Sequence, residues 1–173
     1  MKKTLIILIS ILLLITAVFM KKFKNIHHRK NVIIAGNTAK DFILGIKNLV
    51  IYRLSDFKGK YNIILAFLDA SPQSNKINDI IKDNRLYTFL QKNKDVIWFN
   101  ITKDNSNHFI IEEKTQKIDL SYRTLSENIP SIYNFKNLPT IIIINKSGII
   151  QLVYSGYSPT IVSDILETLK LLQ

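Results

Sequence analysis

The chain has 173 residues, 47% of them apolar, with a formal net charge of +11 and no cysteine. That length suits one domain with its own core plus an appendage. Lack of cysteine excludes disulfides, thiolate metal sites, thiol nucleophiles and cysteine-linked lipids at once.

The charge is unevenly placed. Residues 1–30 hold seven lysines and arginines and no acidic residue, leaving seventeen basic against thirteen acidic side chains in the rest. Basic clusters around an apolar run indicate a membrane surface, so a lipid partner is expected and a nucleic-acid partner is not. The run itself is TLIILISILLLITAVFM, Thr4 to Met20. As a helix it would span roughly 25 Å, at the short limit for crossing a bilayer. Its end offers only a poor small-residue cleavage site around Ala17. Residues 1–22 are therefore expected to be an uncleaved single-pass transmembrane helix.

Two signals for its orientation conflict. The basic residues Lys21 to Lys30 outnumber those before the run, which by itself would keep the following domain cytoplasmic. A short Lys-Lys head before a terminal apolar run is the export layout, and the expectation is a cell-membrane protein with an extracytoplasmic domain. Residues 23–35 form a basic linker. Its adjacent His27 and His28 do not face one another on a helix, so no metal site is expected there.

The domain proper is expected over 36–173. Apolar runs at Leu49–Tyr52 and Ile63–Leu68 read as strands, the second continuous enough to be buried on both faces. Apolar spacing from Ser74 to Gln91 predicts a helix with a Ser/Asn-rich start. DVIWFNI predicts the next buried strand. NSNHFIIEEKTQK predicts a short helix capped by Asn105 or Ser106. IDLSY predicts a strand, and SENIPSIYNF a short helix with Pro130 in its first turn. TIIIINKSGIIQLVYSG predicts a hairpin with Gly148 at a positive-φ position. SPTIVSDILETLKLL predicts a closing helix, Ser158 its cap and Pro159 its first residue. Crossovers early in the chain and a hairpin late imply a mixed α/β sheet covered by helices on both faces.

Three segments carry a resemblance. GNTAKDFILG (36–45) is similar to the G-x-x-A-P-D-F-x-L opening of redoxins, the alkyl hydroperoxide reductase/thiol-specific antioxidant family, with Lys40 in place of the proline. LSDFKGKYNIILAFL (54–68) resembles that family's turn and first core strand. LPTIIIINKSGII (138–150) resembles its cis-proline segment, and YSGY follows where the family has Y-x-G. The resemblance spans roughly 36–172 and implies a thioredoxin-like fold akin to membrane-tethered thiol–disulfide oxidoreductases. It also implies a groove in which backbone beside the proline binds an extended partner chain. On this chain Leu138 and Pro139 would form one wall, with Ala70, Ser71, Pro72 and Gln73 opposite.

The departure falls at the active turn. Where such proteins carry C-x-x-C, this chain reads LDASPQSNK, Leu68 to Lys76. Without a gap Pro72 and Asn75 take the cysteine positions; with one deletion Ser71 and Ser74 do. A serine hydroxyl neither ionises usefully near neutral pH nor forms a disulfide, so exchange and peroxide reduction are excluded. No catalytic residue is expected in Ser71, Pro72, Gln73 and Ser74. A hydrolytic serine would need a base; His108 lies in a polar segment, and helix capping is the expected role of Ser71 or Ser74. Asp69 could be a cap, a buried carboxylate or a surface charge. Glu112 and Glu113 read as a solvated helix face, and Trp98, Phe99 and Tyr52 as core. No cofactor or metal is expected. The expected function is protein or peptide binding by a redox-inactive domain, the alternative an accessory role beside a cysteine-bearing partner in a thiol–disulfide or peroxide pathway.

Overall fold

The computed structural model describes residues 33–173. The expected anchor over 1–22 and most of the linker lie outside the described residues. Among the described residues no helix is long and apolar enough to cross a membrane.

The chain opens with an antiparallel pair, β1 (Ile43–Lys47) and β2 (Val50–Arg53). It continues through β3 (Asn62–Leu68), α1 (Pro72–Ile80), α2 (Asn84–Lys92) and β4 (Val96–Lys103). Then come β5 (His108–Glu113), β6 (Ser121–Leu125), β7 (Thr140–Ile144), β8 (Ile150–Ser155) and α3 (Ile161–Leu171). Six strands form one sheet in the order β6-β5-β4-β3-β7-β8. β3 pairs parallel with β4 and antiparallel with β7, the mixed arrangement expected from crossovers followed by a hairpin.

All seven residues of β3 are buried. Successive side chains point to opposite faces. Ile63, Leu65 and Phe67 therefore join one core layer, and Ile64, Ala66 and Leu68 the other. The second layer contains the buried side chains of α1, α2 and α3, among them Ile77, Leu86 and Ile165. The first is closed by Phe42 and Leu44 near the β1–β2 pair, Leu54 and Phe57 after it, and Ile129 and Tyr133. Among the described residues all three α-helices thus cover a single face, and helices on both faces are not found.

Two segments account for this correction. Residues 105–117 form no helix, because Phe109 and Ile111 alternate inward along β5 and pair it with β4. The turn before β5 is built by Asp104, whose carboxylate accepts from Ser106 N and His108 N, with Asn107 at φ 58°. Residues 126–135 form 3-10 turns at Ser126–Asn128 and Ser131–Tyr133 in place of a helix. Tyr133 and Phe135, two apart, both turn onto Phe67, a spacing that a helix would send to different sides.

Smaller differences are local. The helix expected over 74–91 is two helices, because Asp83 accepts from Arg85 N and Leu86 N and caps a new start. α3 begins after Thr160, while Ser158 Oγ accepts from Thr160 N. β1 was not anticipated; it passes Leu120 so closely that a Cβ on Gly45 would lie 2.5 Å from that side chain. The β7–β8 hairpin turns with Gly148 at φ 79°, as expected.

Candidate functional site: a sulfur-free turn facing a cis-proline loop

β3 ends at Leu68 and α1 begins at Pro72, so Asp69, Ala70 and Ser71 make the whole turn. Ser71 is the N-cap of α1, its hydroxyl accepting from Ser74 N at 3.3 Å. Pro72 fits the first helical position, where no N–H is needed. Ser74, at the third, is fully buried. Its hydroxyl and that of Ser71 donate to the same oxygen, Asp69 Oδ1, at 2.6 and 2.5 Å. The two hydroxyl oxygens are 3.3 Å apart. Ser71 and Ser74, rather than Pro72 and Asn75, are therefore the pair whose side chains meet.

Hydrogen bonds from Ser71, then from Ser74, hold the Asp69 carboxyl below the ordinary carboxylate range, against a smaller opposing effect of burial. The turn carries its own anion at the helix N-terminus, where the α1 dipole favours negative charge. No imidazole is among the partners of either serine. Their bonds go to Asp69, to each other and to backbone. This is a capping cluster, with no base to activate a nucleophile.

Leu138–Pro139 is a cis peptide. The loop is fixed by Thr140 Oγ1 donating to Asn137 O at 2.7 Å and by Gly156 N donating to Pro139 O at 2.7 Å. Tyr133 stacks on Phe67 at 5.4 Å, and its hydroxyl donates to Lys40 O at 2.8 Å. Burial raises the Tyr133 hydroxyl far above the usual phenol range, so it stays a donor. Phe135 meets Phe67 edge-on at 5.1 Å.

Between turn and loop lies a groove of about 510 Å³. Phe67, Tyr133, Phe135 and Leu138 give it an apolar lining, and its polar lining comes from Asp69, Ala70 and Ser71 after β3 and from Lys103, Asp104 and Asn105 at the end of the neighbouring β4. A smaller hollow of about 310 Å³ shares Lys103, Phe109 and Tyr133 with it and extends to Ser126 and Ser131. Of the residues singled out in sequence, Leu138, Ala70 and Ser71 line the groove. Pro139 is buried with its carbonyl engaged, and Pro72 and Gln73 stand exposed on the first turn of α1. Leu138 is partly buried, and neither its N–H nor its C=O makes a hydrogen bond.

Nothing in the residue pattern points to the Lys103–Asn105 segment, because Asn105 and Ser106 suit a helix cap as well as the strand-to-strand turn they form. Asp104 is held down as a carboxylate by His108 N, then by Ser106 N and Arg123. His108 Nδ1 lies 4.0 Å from Asp104 and has no hydrogen-bond partner. Glu112 and Glu113 are on β5, not a helix. Glu112 pairs with Lys114, while Glu113 accepts from Thr115 and from Ile118 N. Trp98 and Phe99 are core residues of opposite layers, and Tyr52 packs against the layer of Phe99. Among the described residues no group of three or more His, Asp and Glu could hold a metal ion.

No protein-family model matches this sequence, and no curated protein matches it. Solved structures do match. One is a protein provisionally assigned as thiol:disulfide interchange protein DsbE from Chlorobium tepidum, 18% identical, covering 81% of this chain and 98% of that one at a TM-score of 0.59. Another is the thioredoxin domain of a thiol-disulfide oxidoreductase from Bacteroides vulgatus, 15% identical over 82% and 99% of the two chains, TM-score 0.53. A thiol:disulfide interchange protein from Bacteroides sp. is 12% identical over 79% and 90%, TM-score 0.53. The fold is thioredoxin-like, as the redoxin motifs implied, on a chain without cysteine.

Proposed function

We propose that this chain is a membrane-anchored, redox-inactive protein of thioredoxin-like fold that holds an extended segment of a protein or peptide partner. The observation that carries this reading is the unpaired N–H and C=O of Leu138, side by side with the cis-proline bond at the edge of an apolar groove. A backbone donor and acceptor that the domain itself leaves unpaired are available to a second chain. An extended partner backbone satisfies both at once, in the manner of an added strand. The aromatic lining then takes an apolar side chain of the partner, and Lys103 adds a positive charge to the groove. Without a thiol the bound segment is held but not altered; any exchange chemistry has to come from the partner. The N-terminal sequence supports anchoring, with the domain outside the cytoplasm.

The test is site-specific photo-crosslinking in native membranes, with the reactive amino acid at Leu138 and, as reference, at Lys92 on the opposite side of the sheet. Adducts at 138 that are absent at 92 are expected. A cysteine-bearing protein among them assigns an accessory role in thiol exchange. Identical, adduct-free patterns at both positions overturn the reading.

A further inference from the structure

The β1–β2 hairpin presents an apolar tip that the groove does not use. Ile46, Leu49, Val50 and Ile51 are 43%, 97%, 53% and 49% exposed within six residues of chain. Leu49 is the most exposed large apolar side chain among the described residues. Its backbone makes the exposure costlier still. Asn48 and Leu49 have φ of 51° and 65°, the two left-handed central residues of a tight hairpin turn. Glycine is the residue such a second position favours, and leucine accepts strain there. No contact within the domain offsets that strain, because the side chain reaches solvent. Ile46 and Ile51 are cross-strand partners on one face of the hairpin, and Val50 pairs with Lys47 on the other, so apolar side chains flank the tip on both faces.

The chain outside the described residues indicates what covers this patch. Thr4–Met20 is apolar and uncharged, and Lys21, Lys22, Lys24, Arg29 and Lys30 follow. From Lys21 to Val32 the chain can reach at most about 40 Å. That is about the diameter of a domain of this size, so the hairpin can meet a bilayer holding the apolar run. A protruding apolar turn on a basic, tethered domain suits the headgroup–acyl boundary of an anionic membrane. We propose that the tip of the β1–β2 hairpin, Ile46 to Ile51, inserts into the membrane that anchors the chain. The inference rests on the anchoring proposed above and is independent of the groove. It makes the domain a body docked at two points on the bilayer, with a restricted orientation.

The absence of cysteine supplies the experiment. Full-length Asn48→Cys chain carries a single thiol, which is labelled with an environment-sensitive fluorophore and reconstituted into phosphatidylcholine/phosphatidylglycerol vesicles, beside labelled Lys92→Cys. Both should float with the vesicles. A spin-labelled acyl chain should quench the label at 48 about threefold more strongly than at 92, as for a group within the interface. Adding Leu49→Asp should return quenching at 48 to the reference level. Flotation with equal quenching at both positions overturns hairpin insertion and leaves anchoring intact. Shielding of position 48 from aqueous iodide without acyl-chain quenching also overturns it, in favour of a protein contact such as a second copy. Failure to float overturns anchoring and, with it, this inference. Persistence of strong quenching in the Leu49→Asp chain shows that Leu49 does not drive insertion, and overturns the assignment.

Discussion

Asp69 Oδ1 accepts a hydrogen bond from Ser74 Oγ at 2.6 Å, joining the end of β3 to the first turn of α1. With Ser71 bonded to the same oxygen, the helix N-terminus is satisfied by an anion from the turn itself. A folded-state pKa held below the unfolded one gives stability that is present above the unfolded pKa and lost as pH falls through the folded one. Asp69→Asn keeps an acceptor but loses the charge. It should melt about 3–5 °C lower at neutral pH, the effect of losing roughly 1 kcal/mol in a domain of this size. The gap should narrow below pH about 3.9 and close at stronger acid. A gap that stays constant from pH 7 to pH 2 would show that the carboxylate charge contributes nothing.

The 3.3 Å between the Ser71 and Ser74 hydroxyls bears on what two sulfurs would do there. The natural chain should be inert in insulin reduction. Ser71→Cys/Ser74→Cys should close an intramolecular disulfide under mild oxidation, detected by mass spectrometry. The Asp69 carboxylate, a like charge, would raise the thiol pKa and slow exchange. Adding Asp69→Asn should therefore speed insulin reduction by about tenfold, one pKa unit of thiolate near neutrality. Turnover by the cysteine-free chain would contradict the exclusion of redox chemistry.

Asn100 is buried in β4 and ties that strand to α1 on the helical face. Its carbonyl accepts from Trp98 Nε1 and its amide donates to Asn78 on α1, both at 2.8 Å. Asn100→Ala leaves the fully buried indole N–H without a partner and should cost about 2 kcal/mol in urea unfolding. Asn78→Ala, at an exposed position, should cost less than about half of that. Equal costs for the two would mean that the Trp98 bond carries little.

Gly45 sits where a Cβ would come within 2.5 to 2.7 Å of three atoms of the buried Leu120 side chain. Gly45→Ala should destabilise by about 1–3 kcal/mol through overpacking. In a Leu120→Ala background the same change should be close to neutral. Additive losses in the double mutant would rule out a steric cause.

Much of this molecule is legible along the chain. Continuous β-branched runs gave β3, β4 and the β7–β8 hairpin, because a strand buried on both faces leaves its mark in consecutive residues. The cis-proline and the capping role of Ser71 followed from local chemistry and from the redoxin-like motifs. The missed elements failed for one reason. Phe109, Ile110 and Ile111 fit a helix or a strand equally well as a short apolar run, and only pairing with β4 decides between them. The same holds for Tyr133 and Phe135, whose partner Phe67 lies over sixty residues away.

The amino-acid sequence by itself determined that no thiol chemistry is possible and that a serine turn precedes α1, because both depend on residue identity and nearest neighbours. Tertiary structure alone decided that the three helices of the described residues share one face and that Lys103–Asn105 and Asp69–Ser71 line one groove with Phe67, Tyr133 and Phe135. It alone left the Leu138 backbone unpaired and the Leu49 tip uncovered. These are outcomes of which distant surfaces meet, and contacts between remote segments leave no period or motif in the chain that makes them.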